Sequence, residues 1–406
     1  MTSDPSRTTE VAIIGAGISG LTAAIALGRA GQHVTIYEQA PRFGQVGAAI
    51  NIAPNAVRAL DGMGLESVLR ARSYRPSCRI SRDWRSGKEL TRVQLADGGH
   101  PQFGAPMLFL HRADLLDILE RALPPSISVR FGHRLIRFQE HADRVTLAFD
   151  GGGVEQSGLL IGADGIHSAV RRWLGGPDEP VYTGAVAYRT FARLAALSDL
   201  DLTPFVKWWS PDSRSELVTF PISPERLFIF GTTPQPIEPP QESWSSRATH
   251  GELAAAFSAY HPDARLIVAA ATDEILKTAL YVRKPLQRWV GARVALVGDA
   301  CHPMTPYMAQ GAAMGLEDAV ILARCLSATA SGCNPARALR RYQDTRLPRA
   351  TQIQVASNEN TFLRSNSLGA EQVYTYDAWH APLAPNPSDT GTAPRITART
   401  APGNPG

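Results

Sequence analysis

An α/β fold, in which a Rossmann-like nucleotide-binding domain is interrupted by a mixed or antiparallel β-sheet, is predicted by three features of this 406-residue chain. First, the apolar strand Val11-Ala12-Ile13-Ile14 runs into Gly15-Ala16-Gly17-Ile18-Ser19-Gly20 and then a helical stretch, Leu21 to Ala30, closed by Gly31 before the strand His33 to Glu38. This is a βαβ unit. Second, the region from Tyr182 to Thr233 is rich in strands, with Ala185 to Leu194, Phe205 to Trp209, Leu217 to Phe220 and Leu227 to Gly231 as candidates. Third, the apolar strand Ala292 to Val297 leads through Gly298-Asp299 to a long helix from about Gly311 to Leu326, which returns the chain to the first domain.

Between these landmarks, Leu108-Phe109-Leu110 reads as a strand that enters a helix over Ala113 to Leu123, and Ser126 to Phe131, Val145 to Phe149 and Leu159 to Ile161 read as strands. Gly151-Gly152-Gly153 marks a turn, and Glu252 to Ala270 a helical interval. The domain division is therefore 11–181 with 292–365 for nucleotide binding and 182–291 for the inserted sheet. Residues 1–10 read as a flexible start, and 381–406, rich in Pro, Gly, Thr and Ser, as a disordered tail.

Composition narrows the function classes. With 44% hydrophobic and 19% charged residues the chain can bury a sizeable core, and a net charge of +4 without a dense Lys/Arg block argues against nucleic acid as a partner. Cys78, Cys301, Cys325 and Cys333 form no C-x-x-C pair and no zinc spacing with histidine, so no metal is expected. Met1 to Glu10 is polar and no apolar run reaches membrane-spanning length, so the expected location is the cytoplasm, as a monomer or homodimer.

The glycine triplet carries the first chemistry. Gly15 makes the tight turn, Gly17 lets the backbone approach a pyrophosphate, and Gly20 allows close helix packing. Glu38 ends the next strand, 18 residues after Gly20, where an acid accepts hydrogen bonds from an unphosphorylated ribose. FAD and NAD both fit that description.

Two further segments decide between them. Gly162-Ala163-Asp164-Gly165-Ile166-His167-Ser168-Ala169-Val170-Arg171 and Gly298-Asp299-Ala300-Cys301-His302-Pro303, continued as Pro306-Tyr307-Met308-Ala309-Gln310-Gly311-Ala312, resemble the Asp-Gly and Gly-Asp motifs of single-chain FAD aromatic hydroxylases, the para-hydroxybenzoate and salicylate hydroxylase type. The three motifs share that family's order and spacing from about Val11 to Asn360. Val206-Lys207-Trp208-Trp209-Ser210 and Tyr260-His261-Pro262 are most similar to its branch of 6-hydroxynicotinate 3-monooxygenases.

The resemblance implies an FAD enzyme in which NADH or NADPH binds transiently and reduces the flavin. O2 then forms a flavin C4a-hydroperoxide whose distal oxygen passes to an electron-rich ring. It further implies that Asp299 holds the ribityl chain, that Arg112 lies near the FAD phosphates, that Asp164 of the Asp-Gly motif is a cofactor-binding residue, that the backbone of Leu135 meets the adenine, and that Ser19 belongs to the glycine loop that binds the cofactor. Gly311 and Ala312 start a helix whose unpaired N–H groups face the pyrimidine end of the flavin. A second Gly-x-Gly-x-x-Gly is missing, which argues against a separate NAD(P)H domain.

The pocket is expected around His302, Asn51 and Pro306. His302 is a candidate to orient or deprotonate a ring hydroxyl, with a hydrogen-bonded structural histidine as the alternative. Asn51 stands where the hydroxynicotinate branch has a histidine, and Phe205, Arg214 and Val218 also replace other residue types there, which argues for a different substrate. Arg189 and Arg214 are candidates for pairing with a substrate carboxylate, and Phe205, Val218 and Phe220 for the wall. Two other readings stay open: an FAD oxidase or epoxidase of a non-aromatic natural product, and an idle FAD-binding module.

Overall fold

The computed structural model describes residues 10–44, 48–97, 100–176, 178–237, 246–272, 274–327, 334–360, 362 and 368–385. Residues 1–9, Cys333 and the tail from 386 onward thus lie outside the described residues.

The nucleotide-binding layer is a five-stranded parallel sheet in the order Val294–Leu296, Leu159–Gly162, Glu10–Ile14, His33–Glu38, Ser128–Phe131. Val11 to Ile14 are buried on both faces, which explains an unbroken apolar run rather than an alternating one. The helix Ile18–Arg29 begins three residues earlier than the apolar pattern suggested, because Gly17 already serves as its N-cap. It packs on the helix Gly311–Ser327, and the approach is close: a Cβ on Gly298 or Gly315 would come within 2.2 Å of Ser19 Oγ. Leu135–Glu140, Val145–Phe149 and Val154–Ser157 form a separate antiparallel sheet, with Gly151 and Gly152 at φ +86° and +91° in its second turn.

The second layer is an eight-stranded sheet ordered Arg247–Ala248, Ile275–Val282, Val181–Arg193, Arg226–Pro234, Glu216–Pro221, Phe205–Trp209, Cys78–Asp83, Glu89–Gln94. It corrects the expected boundary at 182, since two of its strands come from 78–94, before the insertion. It is mixed because Phe205–Trp209 runs parallel to Cys78–Asp83 while its other pairings are antiparallel.

One face of this sheet turns toward the nucleotide-binding core through Ala187, Phe191, Val218, Phe220, Phe228 and Phe230. The opposite face, with Val186, Tyr188, Val206, Trp208, Leu217 and Ile229, packs under two helices, His250–Ala256 and Pro262–Ala269. These divide the single helical interval expected over Glu252 to Ala270, because Pro262 cannot continue a helix and instead opens a new one behind the N-cap His261. A 24-residue helix, Pro335–Asn358, closes the nucleotide-binding domain against Gly311–Ser327. No helix among the described residues is long and apolar enough to cross a membrane, and no group of His, Cys, Asp and Glu there is arranged to hold a metal ion.

Candidate active site

The glycine loop leaves the central strand at its carboxyl end, where ligands of open α/β sheets bind. Gly15 has φ +101° and its N–H donates to Tyr37 O at 2.8 Å, while a Cβ there would lie 2.4 Å from Ala163 O. A Cβ on Gly20 would lie 2.0 Å from Gly15 O. Gly17 differs: it is exposed, and a Cβ there would meet nothing within 4 Å. Two glycines are thus fixed by packing, and the third faces open space at a helix N-terminus.

Glu38 braces this loop. Its Oε2 accepts from Ala16 N–H and its Oε1 from Ala40 N–H, each at 2.8 Å. The N–H of His133 donates to Glu38 O at 2.8 Å, bringing the start of the Leu135–Glu140 strand to the same end of the sheet. Arg112 opens the helix Arg112–Arg121 and Asp299 lies in the turn Gly298–Ala300. Both side chains are exposed yet ringed by protein, as befits groups in an open crevice. Loss of solvation lowers the pKa of Arg112, with Asp299 opposing, and raises that of Asp299, with His302 and Arg112 opposing. Gly311 is adjacent, since a Cβ there would lie 3.8 Å from Asp299 Oδ1. Pro306, partly buried, opens the short turn Pro306–Met308, which ends on Ala309 at φ +54°.

Two sequence expectations need correction. Asp164 is a cap: its carboxylate accepts from Ser168 Oγ at 2.5 Å and Ala169 N–H at 2.8 Å, where the helix Ala169–Gly175 begins. His302 is 1% exposed and its Nε2 lies 2.6 Å from Asp318 Oδ2. A base must reach the substrate proton. His302 is instead committed to holding the Gly298–Ala300 turn, whose Gly298 N–H also donates to Asp318 Oδ2 at 3.0 Å.

Behind this turn lies a buried ion network that the sequence reading missed. Arg346 donates to Asp318 Oδ1 at 2.8 Å and to Glu317 Oε2 at 2.7 Å, and Arg349 also donates to Glu317. Burial alone raises carboxyl pKa values, yet His302 and Arg346 hold Asp318 down at about 2, and Arg346 and Arg349 hold Glu317 below its ordinary value. The available signal was the pair Glu317-Asp318 in the middle of a mostly apolar helix.

On the opposite wall, the inward face of the large sheet is organised in cross-strand ranks. The first rank is Arg79, Phe205, Phe220, Phe228 and Phe191: Arg79 pairs with Phe205, Phe228 with both Phe220 and Phe191, and the Phe205 and Phe220 rings are 5.8 Å apart. The second is Ser81, Lys207, Val218, Phe230 and Arg189. Phe205, Phe220 and Val218 therefore share one face, as expected of a wall. Facing it is the ribbon Ala49–Ile52 with Leu108–His111, where Asn51 pairs with Phe109 and so projects on the same side. Phe109 stacks on Phe220 at 4.2 Å and 23°. Asn51 Oδ1 is buried there with no partner.

Of the two expected carboxylate-binding arginines, one stands in an exposed turn and the other at the far end of the second rank. Arg214 lies in the turn after the Phe205–Trp209 strand and pairs with Asp212 at 3.0 Å, largely exposed. Arg189 Nη1 donates to Thr278 Oγ1 at 2.5 Å; burial and then the charge of Arg112 lower its pKa to about 10, so it sits at the Arg112 end of the crevice. Lys207 and Glu216, also missed, form a buried ion pair at 2.8 Å, and Lys207 Nζ donates to Tyr307 O at 3.2 Å.

Comparison with known proteins agrees with this geometry. The profile of the FAD binding domain family matches residues 8–357. The 6-hydroxynicotinate 3-monooxygenase of Bordetella bronchiseptica is 40% identical over 378 residues, covering 92% of this chain and 96% of the relative. A 3-amino-4-hydroxybenzoate 2-monooxygenase of Streptomyces platensis is 38% identical over 349 residues, covering 86% and 87%. The solved structure of HpxO from Klebsiella pneumoniae, complexed with FAD and uric acid, superposes with a TM-score of 0.76 at 28% identity over 88% of this chain and 90% of that one. With a matching profile over most of its length and relatives of this identity, the chain belongs to the FAD binding domain family and, within it, to the FAD-dependent aromatic monooxygenases.

Proposed function

We propose that the protein hydroxylates a small phenol or hydroxypyridine, or a carboxylate of either, taking electrons from NADH or NADPH and oxygen from O2. The observation that carries this reading is the apolar wall of Phe205, Phe220, Phe228 and Phe191 faced by Asn51, whose buried Oδ1 has no partner. A wall of aromatic rings beside one unmet acceptor suits an aromatic ring that carries a hydroxyl or ring N–H.

The residues present fit FAD. Gly17 leaves the helix start open, where a pyrophosphate would approach, Glu38 is fixed beside it and would meet a ribose, and the backbone at Leu135, tied in through His133, would meet the adenine. Arg112 would face the phosphates and Asp299 the ribityl chain. Gly311 and Ala312 would present their N–H groups, with the positive end of a 17-residue helix, to the negative charge of the reduced ring. Ser19, Asp164 and His302 support this cradle from behind, and Pro306 stiffens its edge. FAD, once bound, supplies the redox chemistry that activates O2. The phenylalanine wall excludes water from the reacting centre, and Asn51 orients the ring.

Asp299→Ala is expected to lower FAD affinity about 10- to 100-fold, read by fluorescence titration of the apoprotein, since one buried hydrogen bond to a charged group is lost. Unchanged affinity would remove Asp299 from the cradle. Asn51→Ala should leave FAD content intact while product formed per NADH consumed falls roughly ten- to hundredfold, the cost of an orienting hydrogen bond.

The function itself is tested by screening hydroxybenzoates, hydroxypyridine carboxylates and neutral phenols for stimulated oxidation of NADH and NADPH, with product mass recorded. Added oxygen on the ring is expected, and the same masses reveal any loss of a carboxyl group. Stimulation without an oxygenated aromatic product would favour an oxidase or epoxidase, and bound FAD without any turnover an idle module.

A further inference from the structure

The first cross-strand rank of the large sheet ends in a charge. Arg79 is 7% exposed, pairs in register with Phe205, and carries its guanidinium 5.6 Å from the centre of that ring. Its Nε has no hydrogen-bond partner, and among the described residues no carboxylate forms an ion pair with it. The acid that acts on it through space, Glu216, is already held by Lys207 at 2.8 Å and by Asn360 Nδ2 at 3.1 Å. Tyr374, from the C-terminal helix Ala370–Tyr374, is the other nearby titratable group and is neutral at ordinary pH. Loss of solvation is the largest influence on Arg79 and lowers its pKa, with Tyr374 and Glu216 opposing.

Glu216 is thus claimed by Lys207, and Arg79 has no carboxylate of its own among the described residues. An uncompensated buried charge is strongly destabilising, so a fold that retains one has a counter-ion to supply. Of the other candidate arginines, Arg214 pairs with Asp212, and Arg189, which donates to Thr278, lies three strands away from Phe205. We infer that Arg79 receives the anionic substituent of the aromatic substrate, a carboxylate, while the ring lies against Phe205. This rests on the aromatic hydroxylase reading and adds to it the substrate's charge. A planar guanidinium offers paired donors that a carboxylate matches, and the incoming anion cancels the surplus charge.

The test uses FAD-loaded protein and the ligand-induced change in flavin absorbance, without turnover. The probes are 3-hydroxybenzoate, 4-hydroxybenzoate and 6-hydroxynicotinate, each beside its neutral counterpart, the hydroxybenzyl alcohols and 6-hydroxynicotinamide. In wild type at least one carboxylate should bind about 10- to 100-fold more tightly than its neutral partner. Arg79→Met should abolish that preference while neutral ligands bind within about threefold of wild type, and Arg79→Lys should weaken the carboxylates alone, by less. Equal binding of both members of every pair by wild type overturns the assignment of Arg79 without touching the hydroxylase reading. So does a preference that survives Arg79→Met, or equal weakening of both ligand types. Should Arg79→Met fail to fold, carboxylate affinity unchanged in Arg79→Lys overturns it as well. Binding of no probe by wild type counts against both.

Discussion

Asp318→Asn is expected to cost about 3–5 kcal/mol of folding stability, measured by denaturant unfolding of the apoprotein, because it removes one partner of a buried ion pair and leaves Arg346 without it. The carboxylate accepts from Gly298 N–H, lies 2.6 Å from His302 Nε2 and accepts from Arg346 Nε, so an amide must turn its NH2 toward at least one donor. The pH dependence has a definite sign. Asp318 ionises at about 2 in the fold against an ordinary value of 3.8, so its stabilising contribution is complete above about pH 4 and is lost as the pH falls toward 2. The stability gap between wild type and Asp318→Asn should accordingly narrow over that interval. A gap that stays constant to pH 2 would show that Asp318 is not ionised in the native network.

Gly20→Ala is expected to destabilise by about 3 kcal/mol or more, since its Cβ would stand 2.0 Å from a backbone carbonyl oxygen that neither the strand nor the helix can move aside. Gly17→Ala is the informative contrast. Its Cβ meets no protein atom and its φ of −76° suits any residue, so apoprotein stability should stay within about 1 kcal/mol of wild type. FAD affinity should nevertheless fall, because the added methyl occupies the approach of the pyrophosphate. If both variants lost stability equally, the open space at Gly17 would not be a ligand cradle.

What could be read in the sequence was whatever is local. The strand His33–Glu38 and the strand Phe205–Trp209 have the bounds their patterns predicted, and the glycine loop and Glu38 meet because a βαβ unit brings them together over a short stretch. Residues joined over long separations were not readable. His302 invites a catalytic reading in isolation, and only the folded chain shows Asp318 at its Nε2 and Arg346 beyond. A lone arginine on a strand carries no signal of its own, so Arg79 passed unnoticed, although Cys78-Arg79-Ile80-Ser81 alternates as a half-buried strand should. Arg214 was misplaced by the opposite error, since matching residue types cannot show that Asp212, two residues away, claims its side chain.

The interleaving of the two sheets has a consequence for how the protein is made. Strands at 78–94 wait for partners at 205–209, and the parallel sheet gains its edge strand only at 294–296. Arg346, which neutralises Glu317 and Asp318, follows later still, some thirty residues after its partners. Neither layer can therefore be completed until the strands Ile275–Val282 and Val294–Leu296 have been made. Folding should be slow, dominated by contacts between distant segments, and a nascent chain stalled before the Pro335–Asn358 helix should remain sensitive to protease even with FAD present.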